Sequence, residues 1–499
     1  MPHLNFRDLY FGFASAEAEV AYDPSRFLDR FYDRWNIASA LRDDSFFLVV
    51  GPKGSGKTAI SEFIRLHSER RYGQAHVFSH SLNLDDVTPG VSPLSAISQK
   101  LVSEQATGIT DSAWRLYISI RFFELLMQDA SCSVGRDPLA VGLAKQLSDV
   151  GLMASDFPTV LRKVRENKFS ISLKGFVGGE HTTKVSDQVP VSKLGEALQR
   201  IIVDAESDNQ FILSIDGLDR IIGDNRAYWL TLAALLRVGD DYHLKLRRAR
   251  SSIRILVMCR SDVFRKIRFA DADKISGDST LFVDWGAQQT VPRDSPLWDY
   301  LAAKATISPE ALLSLFPGFI EVGLRSKDKV RRFASAEYLL TSTRSTPREM
   351  TMLMKRLQSE VPPKGLVTSD RVRSAVDYFA SRDLLTTVAA ECTGILEDAI
   401  SDRLEDILSG FEAASNVGPE DIRRAMSAAG VDESLAGDFA EFLFLAGLLG
   451  NYDPQTGYIQ FYHRRDTYKF KRSGPWQLHR GLMYAFNIPF SRRAASLDH

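Results

Sequence analysis

Eight consecutive residues, Gly51-Pro52-Lys53-Gly54-Ser55-Gly56-Lys57-Thr58, carry the strongest chemical signal in the chain. They satisfy G-x-x-x-x-G-K-[ST] at every fixed position. Gly54 and Gly56 let the backbone turn tightly enough for its N–H groups to surround phosphate oxygens. A helix starting near Thr58 aims its positive dipole end at the same anion. Lys57 then reaches the β- and γ-phosphates of a nucleotide, and the Thr58 hydroxyl is a ligand for Mg²⁺. With Ala59, the stretch supplies the whole candidate nucleotide-binding set. The competing reading, a glycine-rich turn with a chance lysine, does not account for the flanks. Phe46–Val50 is an uninterrupted apolar run, as in a strand buried on both faces, and Thr58 to about Arg70 reads as a helix.

Such a loop needs a carboxylate to hold the metal and position water. Phe211-Ile212-Leu213-Ser214-Ile215-Asp216-Gly217-Leu218-Asp219-Arg220 offers two. Asp216 ends an apolar strand and would ligate Mg²⁺ directly or through water. Asp219, three residues on, could polarise the attacking water. An aspartate at a strand end also serves as an ordinary turn residue. The phosphate loop upstream favours the chemical role for both.

The run Ile215–Arg220 resembles the Walker B segment of STAND and KAP-type NTPases, relatives of the AAA+ ATPases. The run Val50–Ile60 resembles bacterial P-loop ATPases of that group found in genome-defence settings. The resemblance covers about residues 10–360 and is specific for the NTPase rather than for one subfamily. It implies an α/β fold: a P-loop NTPase core, with a parallel sheet and helices on both faces, a helical lid, and ATP with Mg²⁺ as ligands. It also implies that Asp219 is the displaced catalytic acid. The long separation of the two motifs exceeds a minimal AAA+ core and marks an insertion. Two arginines fall where such proteins place phosphate sensors. Arg260 ends the expected strand Ile253–Met258, and Arg348 lies in Thr346-Pro347-Arg348-Glu349 at a lid helix. Each has a plainer reading: a surface arginine after a strand, and a helix-start ion pair.

These residues need positioning elements. At roughly 100–200 residues per domain, 499 residues suggest two to four domains. The pattern divides into a flank (1–44), an ATPase core (45–296) with an insertion at about 88–205, a helical lid (297–361) and a winged-helix-like C-terminal domain (362–499). In the flank, Phe27, Phe31 and Trp35 recur at helical spacing. In the core, further strands are expected at Val77–Leu84 and Phe282–Trp285, with helices at Trp114–Met127 and Ala227–Val238. Ser170–Lys184 reads as a hairpin or mobile loop. The C-terminal pattern is helix (Leu396–Leu408), helix from Pro419, helix (Ser434–Leu449), then a wing turning at Asn451–Thr456.

Composition bounds the partners. Hydrophobic residues make up 44% and charged residues 25%, as in an ordinary globular protein. The longest apolar run, 442–450, is far shorter than the roughly 18 residues of a membrane span, and no signal peptide is visible. Cys132, Cys259 and Cys392 form neither a metal spacing nor a disulfide framework, and His76 and His80 read as ordinary side chains. A cytoplasmic setting without membrane contact is expected. The formal net charge of -1 is a cancellation. Residues 242–268 hold nine Lys/Arg against one Asp, and 396–441 hold twelve acids against three Arg. Residues 461–499 hold eight Lys/Arg against two Asp.

Nucleic acid could meet the basic segments 242–268 and 461–493, where Phe461, Tyr462, Arg464, Arg465, Tyr468, Lys469, Phe470, Lys471 and Arg472 interleave rings with cations. A solvated wing alternating inward rings and outward charges explains the same pattern. The third helix carries Glu433, Asp438 and Glu441, which suits a protein contact better than a major groove. The expectation is a Mg²⁺-dependent ATPase acting as a switch or motor subunit, homo-oligomeric and coupled to an effector chain or nucleic acid, in a setting such as antiviral defence. The rivals are an origin-recognition-like DNA-binding AAA+ ATPase and an ATP-binding scaffold with little hydrolysis.

Overall fold

Leu48–Gly51 forms β1, and every residue of it is buried. The computed structural model describes residues 5–43, 45–83, 105–166, 170–172, 188–218, 226–267, 269, 271–286, 291–323, 330–392, 395–465 and 467–490. Contacts divide the chain into two compact units. One comprises Asp33–Gly51 and Lys57–Phe282; the other comprises Met1–Tyr32, Pro52–Gly56 and Val283–His499.

The first unit is built on a parallel sheet. Its strands are β1, β2 (Val77–Asn83), β5 (Gln210–Leu218), β6 (Ile253–Arg260) and β7 (Thr280–Phe282), in the order β2-β5-β6-β1-β7. Helices connect the strands, as parallel pairing requires. From β1 the chain runs to the far edge at β2, works back through β5 and β6, and finishes at β7 on the other side of β1. That reversal is a topological switch point, where open α/β sheets bind ligands beyond the strand C-termini. The observed fold is therefore the expected class: an α/β parallel sheet with a phosphate-loop sequence leaving β1.

Several elements extend past their sequence limits. The helix after the loop spans Lys57–Tyr72, and the Ala227–Val238 segment is part of a helix over Arg226–Arg248. The inserted region contributes the Gln105–Met127 helix, with Trp114, Leu116, Ile118 and Phe122 buried, and the Val191–Val203 helix. A short antiparallel pair, β3 (Ser170–Ser172) and β4 (Gln188–Pro190), also belongs to it. The tip expected as a mobile loop lies outside the described residues.

The second unit is mostly helical. The 297–360 region, expected to be mostly helical, also contains an antiparallel pair, β8 (Phe319–Gly323) and β9 (Val330–Ala334). Phe319 is exposed and Ile320 buried, the period-two alternation of a strand. The expected Phe282–Trp285 strand is also corrected: β7 ends at Phe282, and Val283 and Trp285 are buried beyond it. Phe27 sits on a Pro24–Asp29 helix that stops before Phe31 and Trp35, so those three rings share no single helix. The expected Leu396–Leu408 helix is two pieces, Asp398–Ser401 and Leu404–Ser409, because Arg403 leaves helical geometry at φ -112°, ψ 14°. Pro419 begins the Pro419–Ala428 helix as expected. The Ala436–Leu445 helix then leads into a three-stranded sheet of β10 (Leu449–Tyr452), β11 (Ile459–Phe461) and β12 (Trp476–Leu478), ordered β11-β10-β12.

Candidate nucleotide site

Within the sheet unit, the two motifs meet although 158 residues separate them. Thr58 Oγ1 donates to Asp216 Oδ2 at 2.7 Å. One turn along the same helix, Ser61 Oγ donates to Ser214 Oγ at 2.9 Å, a second link between this helix and β5. Asp216 owes its aim to the backbone. The β5–β6 register shifts between Ile215 and Leu218, and Gly217 within the shift has φ +83°. A bulge with glycine in the left-handed region re-aims the side chain beside it. The other carboxylate oxygen, Oδ1, accepts the Gly217 N–H at 2.8 Å.

Hydroxyl and carboxylate oxygens at this separation are hard donors suited to Mg²⁺, which is usually held by one or two carboxylates together with substrate phosphates. On that chemistry Thr58 and Asp216 fit a Mg²⁺ ion, which would neutralise phosphate charge. Lys57 is buried and donates through Nζ to Gly51 O at 3.2 Å, folded against the strand end that precedes the loop.

β6 lies between β1 and β5, and Arg260 pairs in register with Gly51. Arg260 is not a surface side chain: it is 8% exposed. Its Nε donates to Asp262 Oδ1 at 3.0 Å and its Nη2 to Asp262 Oδ2 at 2.6 Å. Burial alone would raise the Asp262 pKa, but the Arg260 guanidinium, the Val263 N–H and the Lys57 charge hold it below the usual carboxylate value. Residue type and spacing do not single out Asp262. Its one signal is its place two residues after a candidate sensor. Asp219 lies outside the described residues.

In the other unit, carbonyls of Pro52–Gly56 accept from one side chain and one backbone N–H beyond the loop. Trp285 Nε1 donates to Ser55 O at 2.8 Å, and the Arg348 N–H donates to Gly54 O at 3.4 Å. A Cβ at Gly54, where φ is +77°, would stand 3.3 Å from both Arg348 Cβ and Thr346 Oγ1, so close approach and backbone sign both require glycine here. Arg348 lies in the first turn of the Pro347–Glu360 helix, capped by Thr346, and its Nε donates to Ala14 O at 3.1 Å. Its place is therefore against the loop, not in a helix-start ion pair with Glu349. Glu349 instead accepts from Arg344 Nε at 2.6 Å.

The interleaved wing segment separates by burial. Phe461, Tyr462 and His463 are buried, whereas Arg465, Lys469, Lys471 and Arg472 are exposed. Arg464 is largely buried, with its guanidinium 5.3 Å from the Phe461 ring centroid and burial lowering its pKa. The basic 242–268 stretch is likewise divided. Arg247, Arg248 and Arg250 are exposed at the start of β6, Arg265 and Lys266 are exposed beyond its other end, and Arg260 is buried with Asp262. The three cysteines are free and buried, and His76 Nδ1 sits 2.6 Å from Asn209 Oδ1. Among the described residues no helix is long and apolar enough to cross a membrane.

A parallel sheet with a phosphate loop after its switch-point strand and a carboxylate facing the loop's threonine defines a P-loop nucleotide-binding fold. No family model matches the chain, and no curated protein sequence matches it either. Among solved structures, the Orc1 protein of Aeropyrum pernix in complex with DNA is similar at 13% identity, with a TM-score of 0.42. The match covers 94% of this chain and 95% of that one.

Proposed function

We propose that the chain is a Mg²⁺-dependent ATPase of the AAA+ kind, a switch or motor subunit that couples nucleotide state to an effector chain or nucleic acid. The observation that carries this reading is the 2.7 Å Thr58–Asp216 hydrogen bond beside a complete phosphate-loop motif. Lys57 and the loop N–H groups bind the β- and γ-phosphates; Thr58 and Asp216 hold the metal; Asp219 orients water. Arg260 and Arg348 are the charge-assisted phosphate contacts of this reading. The motif resemblance to STAND and KAP-type NTPases supports a defence setting and a homo-oligomer. The test is phosphate release by the full chain, with and without DNA or RNA, and its mass in solution with ATP. Turnover abolished in Lys57→Ala supports the reading. Nucleotide binding with no Mg²⁺-dependent release would favour the scaffold.

A second reading, a DNA-binding ATPase of origin-recognition type, is favoured by the exposed cations Arg465, Lys469, Lys471 and Arg472 beside exposed Tyr458. Reversing Arg465 and Lys469 should weaken DNA binding and lower its salt slope by about one for each phosphate no longer neutralised. Unchanged affinity would leave the wing as a protein-binding surface. Exposed Glu433 and Asp438, together with the Arg472–Glu441 ion pair at 2.7 Å, suit that outcome.

A further inference from the structure

The phosphate loop carries a second cation whose partner lies far along the chain. Lys53 Nζ is 3.9 Å from Glu391 Oε1, on the Leu385–Cys392 helix. Glu391 is 4% exposed and also accepts from Arg344 Nη1 at 2.7 Å and Nη2 at 3.2 Å. Arg344 is itself buried and bound to Glu349. Its Nη1 donates further to Ala446 O at 3.0 Å, at the C-terminal end of the Ala436–Leu445 helix that leads into β10. The four charges alternate in sign and sum to zero, and three of them are removed from water. A buried carboxylate that loses one cation is left undercompensated, so such a cluster responds sharply to a change at its edge.

We infer that Lys53 is shared between Glu391 and the terminal phosphate of a bound triphosphate, and that the Glu391–Arg344 pair passes that change to the Ala446 end of the helix before β10. The inference rests on the proposed nucleotide reading. A triphosphate presents more negative charge to the loop than a diphosphate and draws Lys53 more strongly from Glu391. The Arg344–Glu391 geometry then adjusts, and with it the carbonyl of Ala446. Glu391 is a positioning residue in this scheme, acting through Lys53.

The test uses the full chain with Mg²⁺ and either ADP or a non-hydrolysable triphosphate analogue. Glu391→Gln removes the competing charge, so preference for the triphosphate over ADP should rise by about fivefold or more. Glu391→Asp keeps a charge for Arg344 while shortening the reach to Lys53, and should shift preference the same way by less. In the wild type, amide hydrogen exchange over 385–392 and 436–449 should differ between the two nucleotides, while the Val191–Val203 helix should not respond. Unchanged preference in both variants together with identical exchange in both nucleotides overturns the inference and leaves the nucleotide site standing. Failure of the wild type to bind either nucleotide removes both.

Discussion

Thr58 and Asp216 show how two short polar side chains remote in sequence come to form a candidate site. Each is ordinary alone, and a hydrogen bond joins them across the sequence. Asp216→Asn should preserve nucleotide binding while lowering phosphate release by about 100-fold or more, as expected when a charge-stabilising group is lost. Unchanged release in a single-turnover assay would remove Asp216 from the chemistry. Lys57→Ala should abolish binding by calorimetry, because Lys57 is the buried cation at the helix start. The loop and Asp216 stood out from residue type and spacing, whereas Arg260 and Arg348 were proposed only from the family resemblance. Asp262 was not, because a carboxylate two residues after a strand end resembles any turn residue until burial and Arg260 give it a partner.

Elements do the aiming. The bulge at Asp216-Gly217 depends on a backbone at φ +83°. Gly217→Ala should cost about 1–2 kcal/mol through left-handed strain and should reduce turnover by displacing Asp216. Full activity with unchanged stability would mean that the bulge does not aim Asp216. The Arg226–Arg248 helix docks closely on β1's lead-in, where a Cβ at Gly239 would meet Phe47 Cε2 at 2.8 Å. Phe47 is fully buried, so Gly239→Ala should destabilise by about 1–3 kcal/mol in denaturant titration through overpacking. Long periodic elements were legible in the sequence; their ends were not. The break at Arg403 and the β8–β9 pair depend on local backbone geometry and on which residues are covered, and neither is written in apolar periodicity alone.

At the scale of the whole chain, acid should act first on the C-terminal half. His479 is buried, with Nε2 facing Thr343 O and Nδ1 facing the Gly481 N–H, so it is the neutral tautomer with its proton on Nε2. Burial, with Arg344, Arg464 and Arg480 nearby, lowers its pKa to about 3, and burial lowers that of neighbouring His463 as well. Unfolded histidines take up protons below about 6.5. Stability is therefore fully present above that pH and falls on acidification toward pH 3, by up to about 1.4 kcal/mol per pH unit for each histidine. Asp129, lowered to about 2 by hydrogen bonds from Ser131, Asn209 and Ser207 that outweigh burial, adds loss in the same direction only below about pH 4. Denaturant midpoints measured from pH 7.5 to 5 should fall accordingly. A flat profile would mean that these histidines are not held neutral.

Residue order alone was enough for the phosphate-loop motif, the α/β class and the cancellation hidden in a net charge of -1, because motif residues, apolar runs and charges are properties of local order. Folding settled which charges face water and which are paired. It left Arg465, Lys469, Lys471 and Arg472 of the wing facing water, buried Arg260 beside Asp262, and joined Lys53 to Glu391 across more than three hundred residues of chain. Burial and pairing arise from residues remote in sequence, so no window along the chain contains them.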